Sequence, residues 1–152
     1  VNLNLSNAIE LTFTGSTTAT GAAVNLAFNT VNDYANGVAS AAQELKVRSN
    51  KKFDVTVKTN ATSFSYTGST TPAPVMPVSG VLALKVSANG TGGTIAGTFA
   101  GYTSLSGTAA NLISNGLNGG NQTFSVMYNA TPGFTYPAGT YTVDVVYTAT
   151  QQ

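Results

Sequence analysis

The chain has no cysteine, no histidine and no tryptophan. Their absence excludes disulfides, thiol nucleophiles, zinc sites built on Cys or His, and any Ser-His-Asp triad. Charge is scarce as well. Asp, Glu, Lys and Arg make up 7% of the 152 residues, against about 25% in a typical soluble domain. The charges nearly cancel, leaving +1, and a nucleic-acid surface needs clustered Lys and Arg to neutralise phosphates. The one basic cluster is Lys46, Arg48, Lys51 and Lys52, which reads as the solvated end of a hairpin. Long apolar runs are missing too: no window of about 18 apolar residues exists, so no membrane-spanning helix is expected. These absences point away from an enzyme and toward a binding or structural module.

In place of charge, Thr, Ser and Asn fill about a third of the chain, well above their usual share. They are polar without charge, and Thr favours strands. The length suits one domain, which can bury roughly 68–70% of the surface its unfolded chain exposes and so needs no disulfide. A charge-poor, Thr- and Asn-rich β protein suits the cell exterior. A removed signal peptide accounts for a first residue of Val, as does a start further upstream. Asn4, Asn60, Asn89, Asn121 and Asn129 each begin an N-x-S/T triplet, a pattern that chance supplies in a chain so rich in Asn and Thr.

The sharpest pattern lies in the first fourteen residues. Val1, Leu3, Leu5, Ile9, Leu11 and Phe13 are odd-numbered and apolar, while Asn2, Asn4, Ser6, Glu10, Thr12 and Thr14 are even and polar. A period of two gives one apolar face and one wet face. At about 3.3 Å per residue the run would extend about 46 Å, against roughly 17–20 Å for an ordinary strand. It therefore bends at Ser6-Asn7-Ala8 and serves two sheets, or one half serves another molecule. The domain division expected is an N-terminal strand over residues 1–14 and a β-sandwich over residues 15–152.

Past a Gly/Ser/Thr turn, Val24, Leu26 and Phe28 alternate again. Residues 31–42 suggest a helical turn. Leu45-Lys46-Val47 and residues 53–57 read as a β-hairpin, with a short strand at Phe64-Ser65-Tyr66. Pro72, Pro74 and Pro77 mark a loop, and residues 81–86 a strand. Ile95 and Phe99 are the anchors expected in a weakly specified stretch, and residues 108–113 suggest a second helical turn. Asn115-Gly116 and Asn118-Gly119-Gly120 are turn signals. Phe124, Val126 and Tyr128 alternate in the next strand. The last strand spans residues 140–150, with Tyr141, Val143, Val145, Tyr147 and Ala149 on its apolar face. Strands punctuated by Gly, Pro and Asn, without a sustained 3.6 period, indicate an antiparallel sandwich.

Chemistry-bearing groups are few. Glu10, Asp54 and Asp144 fall on polar strand faces and Asp33 in an Asn-rich turn, where solvation and Asx-type capping are expected rather than paired-carboxylate catalysis. Asn29, Asn32, Asp33 and Asn36 form at most a weak calcium pattern. Asn89-Gly90-Thr91-Gly92-Gly93 has the glycines of a phosphate loop but no Lys. No catalytic, cofactor-binding or metal site is expected. Phe134 and Tyr136 lie in a loop and are the surface-ligand candidates, for example for sugar stacking, whereas Tyr141 and Tyr147 belong to an apolar face.

The remaining constellation is the N-terminal run. An extended segment with alternating apolar anchors can complete another subunit's sheet, its main chain supplying affinity and its side chains register. Such an interface is heterologous and need not close, so it builds fibres. A chain ending directly after a strand can leave one sheet position for a donor. The ending supports this comparison. Tyr136-Pro137-Ala138-Gly139-Thr140-Tyr141-Thr142, followed by Val143-Asp144-Val145-Val146-Tyr147-Thr148-Ala149-Thr150, resembles the end of spore coat protein U-like domains, subunits of archaic chaperone–usher pili. It is also similar to the ending of small secreted β proteins of Bacteroidota. The resemblance covers roughly the last twenty residues. It implies an incomplete immunoglobulin-like β-sandwich, held by a periplasmic chaperone, delivered to an outer-membrane usher and completed by the next copy's N-terminal strand. On that comparison Val1, Leu3 and Leu5, with Ile9, Leu11 and Phe13, are the donor residues. Tyr141, Val143, Val145, Tyr147 and Ala149 line the acceptor groove. The expected product is a secreted cell-surface filament, a homopolymer. The chain departs from that family in lacking the cysteines of its usual disulfide. The rival expectation is a monomeric surface- or carbohydrate-binding module using Phe134 and Tyr136.

Overall fold

The computed structural model describes residues 1–16 and 18–152. The chain is all-β, with antiparallel sheets consistent with a β-sandwich. In chain order the strands are β1 (Ile9–Phe13), β2 (Val38–Ala39), β3 (Gln43–Ser49), β4 (Phe53–Thr59), β5 (Ser65–Thr67), β6 (Leu82–Asn89), β7 (Thr94–Ile95), β8 (Thr103–Ser104), β9 (Ala110–Gly116), β10 (Gly119–Ala130), β11 (Thr140–Thr142) and β12 (Val145–Gln151), with a short α-helix, α1 (Val31–Asn36), between β1 and β2 and a 3-10 helix, Gly97–Ala100, between β7 and β8. One sheet runs β1-β3-β10-β6-β8, with β2 also on β10; the other runs β12-β4-β9-β7; β11 and β5 form a small ribbon.

The alternation of each strand builds the core. Leu45 and Val47 of β3, Phe124 and Val126 of β10, and Leu84 and Val86 of β6 point inward from the first sheet. Phe53, Val55 and Val57 of β4, with Leu112 and Ile113 of β9, come from the second, and all join one apolar cluster. Leu82, Phe99 and Leu105 extend that cluster. Ile95 packs against it, so both expected anchors of that stretch are in place.

Several local expectations need correction. Residues 45–47 and 53–57 do not form a hairpin, because β3 and β4 lie in different sheets. Residues 50–52 carry the chain across the sandwich as an arch, and the two apolar rows meet in the core instead of lying side by side. The same happens at the Asn-Gly turns of residues 115–120, which lead from β9 to β10 in the opposite sheet. Asn115 there has φ 57°, a left-handed conformation that its short polar side chain tolerates. Residues 108–113 are mostly strand, not a helical turn. Leu112 and Ile113 are fully buried, and β9 is paired on both edges, by β4 and β7.

Residues 24–28 keep their extended alternation without joining a sheet. The last strand is broken at Val143-Asp144. Asn60 intervenes there: its amide N–H donates to the Asp144 carbonyl (3.0 Å), and the Asp144 N–H donates to the Asn60 side-chain oxygen (3.0 Å). The break sends Tyr141 to the ribbon opposite Tyr66 and leaves β12 against β4. The helical turn expected within residues 31–42 is α1, closed at its start by a capping box between Thr30 and Asp33.

Phe124 sits at the centre of this core and is 1% exposed. Phe124→Ala should therefore lower unfolding free energy by about 3–5 kcal/mol, measured by urea denaturation against the parent chain.

Candidate functional site

The alternating N-terminal run splits where its pattern breaks. Ile9, Leu11 and Phe13 pair with Ser49, Val47 and Leu45 of the chain's own β3. Residues 1–7 belong to no strand, and Leu3 and Leu5 are 80% and 89% exposed. Of the six candidate donor residues, three are thus seated in their own sheet, and Val1, Leu3 and Leu5 stand out on an arm. The boundary at residue 14 falls accordingly within the sandwich, since β1 is one of its strands.

The point where the arm leaves is held firmly. The Asn50 side chain donates to the Ser6 carbonyl (2.8 Å) and accepts from the Ala8 N–H (3.0 Å). The Gln151 amide donates to the Ala8 carbonyl (2.7 Å), to Ser49 Oγ (3.0 Å) and to Asn50 Oδ1 (3.0 Å). The arch between β3 and β4 and the end of β12 therefore fix the root of the arm together.

Toward the opposite end the two sheets part into a groove of about 1110 Å³. Leu11, Phe13 and Tyr128 form one wall; Tyr141, Val143, Val145 and Tyr147 form the other. Ala149, the fifth candidate acceptor residue, packs on the core closer to the arch. Among the described residues β12 has a strand partner on one edge only, β4. Its inward residues Val145, Tyr147 and Ala149 are half-buried, while Val146, Thr148 and Thr150 face solvent. The single apolar face read from the sequence is there, incompletely covered.

Two tyrosines bridge the sheets beside the groove. The hydroxyls of Tyr128 (β10) and Tyr147 (β12) are 2.6 Å apart. The Tyr147 ring meets Phe13 edge-on at 6.2 Å and Phe124 at 6.4 Å. Burial disfavours the phenolate and raises the pKa of Tyr128, partly offset by the hydrogen bond from Tyr147. Tyr147 is pushed well above 10 by burial, with Tyr128 adding to the effect. This pair satisfies each hydroxyl with the other, as buried tyrosines require.

Aromatic rings also mark the groove's mouth. Tyr141 lies 5.0 Å from Tyr66 and 6.4 Å from Tyr136, and its hydroxyl donates to the Pro137 carbonyl (2.8 Å). Tyr136 is thus part of the groove lining. Phe134 is 67% exposed and stacks on Tyr34 at 5.7 Å, which in turn contacts Phe28 at 5.4 Å.

The carboxylates serve the fold. Glu10 pairs with Arg48 across the first sheet's edge. Asp54 accepts from the Asn115 N–H (2.8 Å) and from Gln152 (2.9 Å), and Asp144 accepts from Asn60 (3.1 Å). Asp33 caps α1: the N–H groups of Thr30 and Asn29 donate to it, and these bonds hold its pKa below the usual carboxylate range.

Sequence reading missed Asn50 and Gln151, whose roles depend on partners 42 and 143 residues away. It also missed Phe64 and Met76, which help line the groove. No known family model matches the chain, and no curated protein matches it.

The tyrosine pair carries a pH signature. An unfolded tyrosine ionises near 10, whereas the folded pair holds its protons to higher pH. Its stabilisation is present in full below about pH 10 and is lost as pH rises through the folded values, because the unfolded chain then releases protons more readily. Denaturation midpoints should accordingly stay level between about pH 7 and 9 and fall above about pH 10. The Tyr128→Phe/Tyr147→Phe double variant should show a shallower alkaline fall in the same series.

Proposed function

We propose that this chain is a structural subunit of an extracellular filament, polymerised by donor-strand exchange. The observation that carries the reading is an apolar arm, residues 1–7, that its own domain leaves uncovered, in a molecule with an open groove and an unpaired β12 edge. Seven residues extend about 23 Å, and β12 is seven residues long, so arm and edge are matched in length. Polarity fits as well. The arm leaves beside Asn50 and Gln151, while the groove lies toward the far ends of β1 and β12. Each copy then reaches into the next, head to tail, and the contact never closes on itself. Donated main-chain groups satisfy the β12 edge, and Val1, Leu3 and Leu5 supply side-chain register. A subunit with such an edge needs cover before assembly, and a periplasmic chaperone and an outer-membrane usher are the partners that the resemblance of its last twenty residues supplies.

A second reading rests on Phe134, an exposed ring stacked on Tyr34. Such a platform suits sugar stacking by a monomer. Glycan binding that persists in a monomeric preparation and disappears on Phe134→Ala would favour this reading.

Negative-stain electron microscopy tests the first. The parent chain should form filaments. Leu3→Ser/Leu5→Ser removes two anchors worth about 1.5–3 kcal/mol each when buried, and should abolish filaments at concentrations where the parent assembles. Filaments indistinguishable from the parent's, formed by this variant or by a chain lacking residues 1–6, would refute strand exchange.

A further inference from the structure

One segment of the chain itself covers part of the groove. Between Phe13 and α1 the chain runs through residues 19–29, all of which line the groove. Gly21 lets it pass tightly over Phe13; a Cβ there would lie 2.9 Å from that ring. Leu26 and Phe28 then pack against the core, while Ala27 and Asn25 between them face out. The seating is that of a strand, but the main chain is not bonded as one. Among the described residues, residues 21–28 make no hydrogen bond through their backbone. Leu26 and Phe28 are the side chains that anchor them to the core.

This segment resembles the arm. Val24-Asn25-Leu26-Ala27-Phe28 repeats the order of Val1-Asn2-Leu3-Asn4-Leu5: the first three residues are identical, and the fifth is large and apolar in both. Both present apolar anchors at alternate positions. One copy of the pattern lines the groove, with Leu26 and Phe28 half-buried and Val24 more exposed, and the other stands exposed on the arm.

We propose that residues 24–28 stand in for the donor strand in the unassembled subunit. Residues 1–5 of a second copy displace them, and Val1, Leu3 and Leu5 take the seats of Val24, Leu26 and Phe28. This inference rests on the strand-exchange reading and adds its register and its resting state. The competition has a physical logic. The internal segment is tethered, so its effective concentration at the groove is high. The incoming arm makes up for that by adding main-chain hydrogen bonds to the β12 edge, which the internal segment leaves unused. The stand-in covers apolar surface in the free subunit, yet is held weakly enough to yield.

The absence of native cysteine makes single-site thiol labelling a clean test. Leu26→Cys and Leu5→Cys full-length chains are labelled with N-ethylmaleimide before and after assembly. The unassembled Leu26→Cys chain is also labelled with a saturating synthetic peptide of residues 1–7. Displacement should speed labelling at position 26 by about tenfold or more, in the assembly and with the peptide alike, because access then no longer waits on local opening. Labelling at position 5 should slow by a similar factor on assembly. Val24→Cys, at a more exposed seat in the same segment, reports the same event if Leu26→Cys folds poorly. Unchanged labelling at both 24 and 26, with position 5 protected, would overturn the displacement while leaving strand exchange standing. Position 5 remaining equally reactive after assembly would sink strand exchange and the inference with it.

Discussion

Leu45 and Val47 of β3 share one interior with Phe53, Val55 and Val57 of β4, because residues 50–52 carry the chain from one sheet to the other. Two apolar rows that are neighbours in sequence become the two sides of one core. The constraint is that a period-two strand has one face to bury, and a crossing at the turn lets successive strands bury theirs against each other. The arch also sets Asn50 beside Ala8 and the end of β12, where its side chain ties the root of the N-terminal arm. The β9–β10 crossing repeats the arrangement, and among the described residues β3, β10 and β6 of one sheet and β4 and β9 of the other are paired on both sides.

Among the described residues β12 is one of the edge strands of the sandwich, and its Val145 and Tyr147 line the groove. It has β4 on one edge and a half-covered apolar face. Phe13, Tyr128 and Tyr147, which line the groove, tie it to the first sheet through ring contacts and one hydroxyl pair. An exposed edge beside apolar surface is a template for another strand. Under the proposed strand exchange, an arm rooted at the other end of the molecule would use that template in a directed way. The near-neutral surface suits the same purpose. Few charges mean little repulsion between identical neighbours in a stack, and a net charge near zero favours association.

Legibility in the sequence followed the range of the interactions. The inward rows at 45–47, 53–57 and 124–128 were plain from alternation, and Phe99 from its isolation among Gly and Thr. The capping role of Asp33 was legible because its partners, Asn29 and Thr30, are adjacent. The groove-lining face at 141–147 was legible for the same reason as the core strands. Leu112 and Ile113 misled, since two successive apolar residues carry no period of two, and only strand partners on both edges made them β. The last strand read as continuous because nothing local to Val143-Asp144 announces that Asn60, eighty-four residues away, binds there. Hairpin and arch share the same turn residues, so Asn-Gly signals located the turns without saying which sheet came next.

By itself the sequence determined what the chain is made to do locally. Its absences excluded thiol and imidazole chemistry, its alternation set which side chains turn inward, and its Asn, Gly and Pro positions placed the turns. Those are properties of single residues and near neighbours, and they hold in any fold. Tertiary structure decided the rest: that Ile9–Phe13 pairs at home while residues 1–7 stand clear, that among the described residues β12 is paired on one edge only, and that Leu26 and Phe28 line the groove and pack on the core outside any sheet. Each depends on which distant strand arrives alongside. Pairing energy lies between segments far apart in the chain, and no local pattern encodes the partner's identity.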